Sequence, residues 1–142
     1  MKKSEIIQIV VIASVLLGCI AVVVGKFSGP ATGSVVDVKV PELSRQARKG
    51  EVVYNSRCSS CHGENGSGSK AGPPLVHDIY NPGHHSDEAF YRAVKMGVKQ
   101  HHWPYGNMPP RPEVSTKEVT AIIDYMRELQ EANGIVYRSH RM

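Results

Sequence analysis

Cysteine is scarce in this chain of 142 residues, which has three, and their positions exclude a disulfide framework. Cys58 and Cys61 stand together in one short motif, and Cys19 lies inside a long apolar run. If the pair at 58 and 61 acts as a unit, no cysteine is left for a structural disulfide. A small secreted domain held together by disulfides is therefore excluded.

Large aromatic side chains are also few, and the charges nearly balance. The globular part, residues 44–134, has a single Phe, Phe90, and a single Trp, Trp103. A domain of roughly 90 residues with so few large apolar side chains is only marginally stable on its own. From Phe27 onward, 14 Lys and Arg stand against 12 Asp and Glu. This small excess of positive charge excludes a nucleic-acid-binding surface.

Residues 6–24 form an almost uninterrupted apolar run, with no charge between Glu5 and Lys26. About 20 apolar residues cross the hydrocarbon core of a bilayer as a helix. Lys2 and Lys3 precede the run, so the N-terminus is expected in the cytoplasm and the rest of the chain across the membrane. We therefore predict a single N-terminal transmembrane helix within residues 1–26.

Two other fates of this segment stay open. It is either cleaved as a signal peptide, or residues 16–19 act as a lipobox and Cys19 is lipidated. The apolar run continues past Cys19 to Val24, which a lipoprotein does not need, and no Ala-x-Ala site closes it. A retained anchor is the favoured interpretation, and all three fates place the domain outside the cytoplasm.

The sequence Cys58-Ser59-Ser60-Cys61-His62 is the most informative motif of the chain. Two cysteines three positions apart, followed at once by a histidine, are the attachment signature of c-type haem. The thiols of Cys58 and Cys61 join the porphyrin as thioethers, and His62 binds the iron. A bare Cys-x-x-Cys also occurs in dithiol and zinc sites, but zinc needs further ligands at close spacing. We predict one covalent haem c.

A sixth ligand for the iron is predicted at Met108, in the segment Gly-Asn-Met-Pro-Pro at residues 106–110. A thioether is soft and neutral, and it raises the reduction potential relative to a second histidine. The prolines of this loop lower the entropy of the free chain and help to hold a weak ligand in place. The alternative is that Met108 fills a gap in the core, which is the interpretation we give to Met96 and Met126.

Together these motifs resemble a monohaem class I cytochrome c of the short bacterial type, over about Ser44 to Gly134. In that family a Gly-x-x-x-aromatic pattern precedes the haem motif, as Gly50 to Tyr54 do here. A Gly-Pro-x-Leu segment follows the motif, as at residues 72–75, and a Met-Pro pair supplies the distal ligand, as at residues 108–109.

The resemblance implies further roles for individual residues. The Pro73 carbonyl accepts a hydrogen bond from the ring of His62, which orients the imidazole and raises its basicity. Pro73 and Leu75 belong to the haem site. Tyr125, on the last helix, packs on the first helix near Gly50.

The predicted fold is all-α: a cytochrome c fold with three or more helices wrapped around one covalent haem, in addition to the membrane helix. The predicted organisation is an anchor at 1–26, a flexible linker at 27–43, the cytochrome c domain at 44–134 and a C-terminal tail at 135–142. Serines mark the starts of three predicted helices: Ser44, Ser86 and Ser115.

The approach to Met108 departs from the family pattern, because it reads His101-His102-Trp103-Pro104-Tyr105. With the pair His84-His85, these histidines either replace Met108 on the iron, form a surface metal site, or are ordinary loop histidines near the haem edge. The last is favoured, since neighbouring side chains diverge and do not easily hold one metal. Trp103 is predicted to line the haem pocket, with its indole N–H on a haem propionate or by simple packing.

The expected function is electron transfer by a cytochrome c tethered to the bacterial inner membrane, with its haem domain in the periplasm. It would carry single electrons between respiratory or photosynthetic complexes; it is not expected to be an enzyme or to bind nucleic acid or a small-molecule substrate. Its expected partners are redox proteins. The Lys and Arg residues of the domain either form a basic rim near the haem edge that attracts acidic partners, or are scattered over the surface. Two alternatives stay open: a fixed electron-entry subunit of an oxidase or dehydrogenase complex, and a haem enzyme or gas sensor with an open sixth site.

Overall fold

The computed structural model of the protein describes Ile12 and residues 35–139. The chain divides into two compact units, Met1–Ala31 and Thr32–Met142, and the account below concerns the second. Apart from Ile12, the segment predicted to cross the membrane lies outside the described residues, as do residues 140–142. Within the described part, no helix combines the length and the apolarity needed to span a bilayer.

Four α-helices make up the regular structure of residues 35–139. They are α1 (Arg45–Arg57), α2 (Ser59–His62), α3 (Asp87–Met96) and α4 (Thr116–Ala132). Two short 3-10 turns lie between α2 and α3, at Glu64–Gly66 and Asp78–Tyr80. This part of the chain contains no strand, and its isolated bridge joins Val98 to Met108. The predicted all-α class is confirmed.

Side-chain caps explain where the two long helices begin. Ser44 Oγ accepts a hydrogen bond from the backbone N–H of Ala47 at 3.1 Å, which satisfies one of the free N–H groups at the start of α1. At the start of α4, Ser115 and Glu118 form both halves of a capping box. The predicted starts at Ser44 and Ser115 are therefore confirmed, together with their physical cause.

The close crossing of α1 and α4 organises the domain. At Gly50 a Cβ would overlap the carbonyl oxygen of Ala121 and come within 2.9 Å of Tyr125 Cβ, so only glycine fits there. Tyr54 and Tyr125 are fully buried beside this contact, with ring centroids 5.6 Å apart. Truncating such a buried aromatic side chain costs about 3–5 kcal/mol. The packing of Tyr125 on α1 near Gly50 is the arrangement that the resemblance implies.

Apolar side chains from α1, α4 and the neighbouring loops form one core. Its members are Leu43, Ala47, Tyr54, Val76, Val114, Val119, Ile122, Ile123, Tyr125, Met126, Leu129 and Ile135. Met126 fills the core as predicted. The same prediction is wrong for Met96, which is 67% exposed. The helix α3 packs on the core through Phe90 and Val94, and Met96 lies two residues beyond Val94, on the opposite side of the helix.

The described part of the predicted linker, residues 35–43, contacts the domain. Leu43 is buried in the core and Val38 packs against it. The backbone of Lys39 exchanges two hydrogen bonds with the side chain of Asn133, at 2.9 and 2.8 Å. Val36 N donates to Ser67 O at 2.8 Å. From about Val36 onward, the chain is therefore held by the domain.

We predict that Gly50→Ala destabilises the holoprotein by at least about 3 kcal/mol, because the added methyl group overlaps the backbone of α4. In an uncrowded helix the same change would stabilise by up to about 1 kcal/mol, so the sign of the effect is diagnostic. Urea denaturation followed by circular dichroism measures it. Val52→Ala, at an exposed position of α1, is the control and should have an effect within about 0.5 kcal/mol. A Gly50→Ala protein as stable as the wild type would contradict the close crossing.

Candidate haem site

The Cys-x-x-Cys-His motif lies where α1 ends and the single turn α2 begins. Cys58 N donates to Tyr54 O at 2.8 Å and His62 N to Cys58 O at 2.9 Å, so the motif continues the helical hydrogen bonding across the junction. Residues at i, i+3 and i+4 of a helical turn are neighbours on one side. Cys58, at the junction, and Cys61 and His62, in α2, have this spacing, so the junction of α1 and α2 brings both thiols and the imidazole together. Burial raises the pKa of Cys58 to about 11.

The ring of His62 is oriented by the segment that follows the motif. His62 Nδ1 lies 2.9 Å from the carbonyl oxygen of Pro73, and since a carbonyl only accepts, Nδ1 carries the hydrogen. Burial lowers the pKa of His62, with a smaller opposing effect from the hydrogen bond to Pro73. The imidazole is therefore neutral at pH 7, and Nε2 is the nitrogen with a lone pair to give to a metal.

Leu75 is held in place by its backbone. Its N–H donates to Gly66 O at 2.8 Å, and its carbonyl accepts from Nε2 of Gln130 at 3.0 Å. Gln130 is fully buried in α4, and its Oε1 accepts from Arg127 at 2.6 Å. A buried polar side chain from the last helix thus supports the loop that carries Pro73 and Leu75.

Arg127 extends this support to the loop before α3. Its guanidinium donates to the carbonyl oxygens of Tyr80 and His85 at 3.0 and 2.6 Å and pairs with Asp87 at 2.9 Å. It also lies 5.1 Å from the ring centroid of Phe90. The roles of Arg127 and Gln130 are not predicted above, although their sequence pattern is a signal: a polar pair at i and i+3 on the apolar side of a predicted helix.

Met108 is fixed through its backbone more than through the prolines around it. Val98 N donates to Met108 O and Met108 N to Val98 O, both at 3.0 Å. Gly97, at φ +76°, makes the turn that leads from α3 into this pairing, and a Cβ there would lie 2.5 Å from Met108 O. Gln100 N also donates to Asn107 Oδ1 at 2.9 Å. These hydrogen bonds join the two ends of the loop from 97 to 108, and the segment 101–105 lies between them.

The stretch after Met108 is attached to α3, and α3 and the cysteine motif share one core. Arg111 N donates to Val94 O at 2.7 Å, which ties this stretch to α3. Val94 and Cys58 both pack against the hydrophobic core. Burial raises the pKa of Cys58, and the positive charge of Arg111 has a smaller, lowering effect.

Trp103 has a buried N–H group that matches a cofactor of the expected kind. Nε1 is buried, and no acceptor among residues 35–139 meets it in hydrogen-bond geometry. The ring packs edge-on against His77, with centroids 5.0 Å apart. Burial raises the pKa of nearby Tyr80 to about 12, and a poorly aligned contact with the indole N–H of Trp103 opposes that rise, so the Tyr80 hydroxyl is the protein acceptor nearest to good geometry. A buried N–H without a well-aligned acceptor is costly, and a haem propionate is an acceptor that would satisfy it. The residues present thus fit haem.

The histidine pairs meet instead of diverging. The rings of His84 and His85 are 4.6 Å apart, and Nε2 of His84 lies 3.2 Å from Nε2 of His102. The expectation that neighbouring histidines diverge fails here because residues 81–85 form a turn. Burial lowers the pKa of His85 and of His102, with smaller contributions from the neighbouring imidazoles.

The geometry defines a helical protein with a thiol pair and an oriented histidine after α1, and with a methionine in a loop whose ends are joined by backbone hydrogen bonds. The family model described as Cytochrome c matches residues 47–130, which is more than half of the chain. The chain belongs to the cytochrome c family and is a haem c electron-transfer protein, with the haem covalently bound. No curated protein and no solved structure matches it.

We predict that Gln130→Leu destabilises the holoprotein by about 2–3 kcal/mol, because it leaves the Leu75 carbonyl and one N–H of Arg127 without their buried partner. Urea denaturation measures the effect. The exposed neighbour Glu131, changed to Gln, is the control and should stay within about 0.5 kcal/mol of the wild type. If Gln130→Leu is as stable as the wild type, the hydrogen bonds of Gln130 do not support the site.

Proposed function

We propose that the protein transfers single electrons through a haem c attached at Cys58 and Cys61 and ligated by His62 and Met108. The observation that carries the proposal is the pair of backbone hydrogen bonds between Val98 and Met108, at 3.0 Å each. A methionine that only filled a core gap would need no such hold. Met108 is partly buried, whereas Met96, on the neighbouring helix, is exposed.

Each residue of the site has a distinct part. The haem iron supplies the chemistry, a one-electron exchange between its ferric and ferrous states. His62 would give Nε2 to the iron, while the hydrogen bond from Nδ1 to Pro73 keeps the ring in one orientation. Trp103 would donate its indole N–H to a propionate, and Leu75 would line the pocket.

The backbone hydrogen bonds that fix Met108 favour electron transfer. A thioether binds iron weakly, so a loop that already holds its backbone in place reduces the entropy lost on ligation. A ligand that does not move between oxidation states also keeps the structural change during electron transfer small. With both axial positions filled there is no open site for substrate, and we infer that the protein is not an enzyme.

The place of the protein in the cell is part of the same proposal. The apolar run at 6–24, with Lys2 and Lys3 before it, supports a retained anchor in the bacterial inner membrane, with the haem domain in the periplasm. A membrane anchor raises the effective concentration of the domain near membrane-bound redox proteins. A mobile carrier between such complexes is the function that we favour over a fixed subunit, which would copurify with its complex at constant stoichiometry.

We predict that Met108→Ala abolishes the weak sulfur-to-iron charge-transfer band of the ferric protein. The reduction potential should fall by on the order of 100 mV, within the ~0.8 V range that axial ligands span. Optical spectra and a redox titration measure both. Met96→Ala is the matched control and should leave both unchanged, because this side chain is exposed. Acid acetone should leave the pigment on the polypeptide in all three proteins, since thioethers at Cys58 and Cys61 hold it.

Binding of carbon monoxide distinguishes an electron carrier, whose sixth iron position is occupied, from a gas sensor, whose sixth position is open. The reduced wild-type protein should not bind it rapidly at neutral pH, whereas Met108→Ala should, since the sixth position is then open. Rapid binding by the wild type, or an unchanged charge-transfer band in Met108→Ala, would contradict ligation by Met108.

We predict that the full-length protein stays with the membrane pellet after a high-salt wash and is released by detergent, because an apolar helix and not surface charge holds it. A variant that begins at Phe27 behind a cleavable secretion signal is the control, and it should be found in the soluble periplasmic fraction with haem attached. Release of the full-length protein by salt alone would contradict the anchor.

A further inference from the structure

We propose that His84, His85 and His102 form a binding site for one divalent transition-metal ion, separate from the haem. One ring nitrogen from each of these histidines can be chosen such that all three nitrogens lie within 4.8 Å of one another. The first two histidines come from the turn before α3 and the third from the loop after it. The function described above assigns no role to any of them.

The spacing of the nitrogens suits direct coordination. Nε2 of His84 and Nε2 of His102 are 3.2 Å apart. Zinc binds imidazole nitrogen at about 2.0–2.1 Å in tetrahedral geometry, which places two ligand nitrogens about 3.3 Å from each other. The two imidazoles share a hydrogen bond in this structure, and the same separation suits a shared metal ion, which would replace the hydrogen between them.

His85 is oriented as a third ligand by a hydrogen bond on its other ring nitrogen. Its Nδ1 lies 2.7 Å from the carbonyl oxygen of Ile79, so Nδ1 carries the hydrogen and Nε2 has the lone pair. A backbone carbonyl on the second nitrogen of a metal-binding histidine fixes the tautomer and the ring orientation. This is the same device that His62 and Pro73 use in the haem site.

The turn that carries the two neighbouring histidines is held from two sides. The N–H groups of His84 and His85 both donate to Asn81 O, at 3.0 and 2.8 Å. Arg127 donates to His85 O at 2.6 Å from the side of α4. The backbone is thus fixed without a metal, so little ordering has to accompany binding.

The ligand set selects the class of metal. Imidazole nitrogen suits zinc, copper and nickel ions, whereas calcium and magnesium require oxygen ligands. Three protein ligands leave a fourth position for water, and the cluster is partly exposed, so an ion can reach it. His101 is not part of the set, because the group of ring nitrogens that lie within 4.8 Å of one another comprises only His84, His85 and His102.

Binding would connect the two ends of α3. His84 and His85 precede this helix, and His102 lies in the loop that Val98 and Met108 close. One ion at the cluster therefore ties the methionine loop to the turn before α3. We expect the ion to stabilise the folded protein, because it binds the folded arrangement and not the unfolded chain.

Calorimetric titration of the full-length holoprotein with Zn²⁺, purified without a polyhistidine tag, tests the site. We expect one ion per protein and a rise of the thermal midpoint on binding. His102→Asn should weaken zinc binding at least about 100-fold, more than the loss of a second-shell partner does, and His84→Asn should act alike. His101→Asn is the matched control from the same loop and should bind as the wild type does.

X-ray absorption at the zinc edge reads the ligands directly, and three nitrogen donors at about 2.0–2.1 Å are expected. Failure of the wild type to bind stoichiometric Zn²⁺ would overturn the proposal. Zinc binding that is unchanged in both His102→Asn and His84→Asn, or that is weakened as much by His101→Asn, would overturn it as well.

Discussion

The contact on which the rest of the domain depends is the backbone approach of α1 to α4 at Gly50. A Cβ at this position would overlap the carbonyl oxygen of Ala121, so the two helices meet at a distance that only glycine permits. This crossing fixes α1, whose end presents the cysteine motif, relative to α4. Arg127 and Gln130 then reach from α4 to the loops that carry His85 and Leu75. The cysteine motif and these two loops are therefore all positioned relative to α4.

Local chemistry explains which features could be predicted from the sequence. A motif such as residues 58–62, the cap at Ser44 or the capping box at Ser115 needs only residues a few positions apart, and each was located correctly. The position of Gly50 opposite Tyr125 came from the resemblance, because no local pattern states which helix a glycine will meet.

Contacts between distant residues explain what was missed. The hydrogen bond from Gln130 to Leu75 O joins residues 55 apart in the chain, and that from Arg127 to His85 O joins residues 42 apart. No periodicity encodes such partners. The prediction for Met96 is wrong for a related reason. Methionine is usually a core residue, but the exposure of Met96 depends on which side of α3 it lies on. The prolines near Met108 are evident in the sequence, but the backbone pairing of Met108 with Val98 depends on a turn at Gly97 that only the fold shows.

Because large apolar side chains are scarce, the polar contacts contribute a large share of the stability of the loops. A domain of this size with few aromatic residues buries little apolar surface, so the loops around the haem cannot be held by packing alone. Arg127 supplies several charge-assisted hydrogen bonds from one partly buried side chain, and such bonds are roughly twice as strong as neutral ones. It contacts the turn of His85 and, through Gln130, the loop of Leu75. The loop of Leu75 and the turn of the histidine cluster are for this reason supported by the same cation.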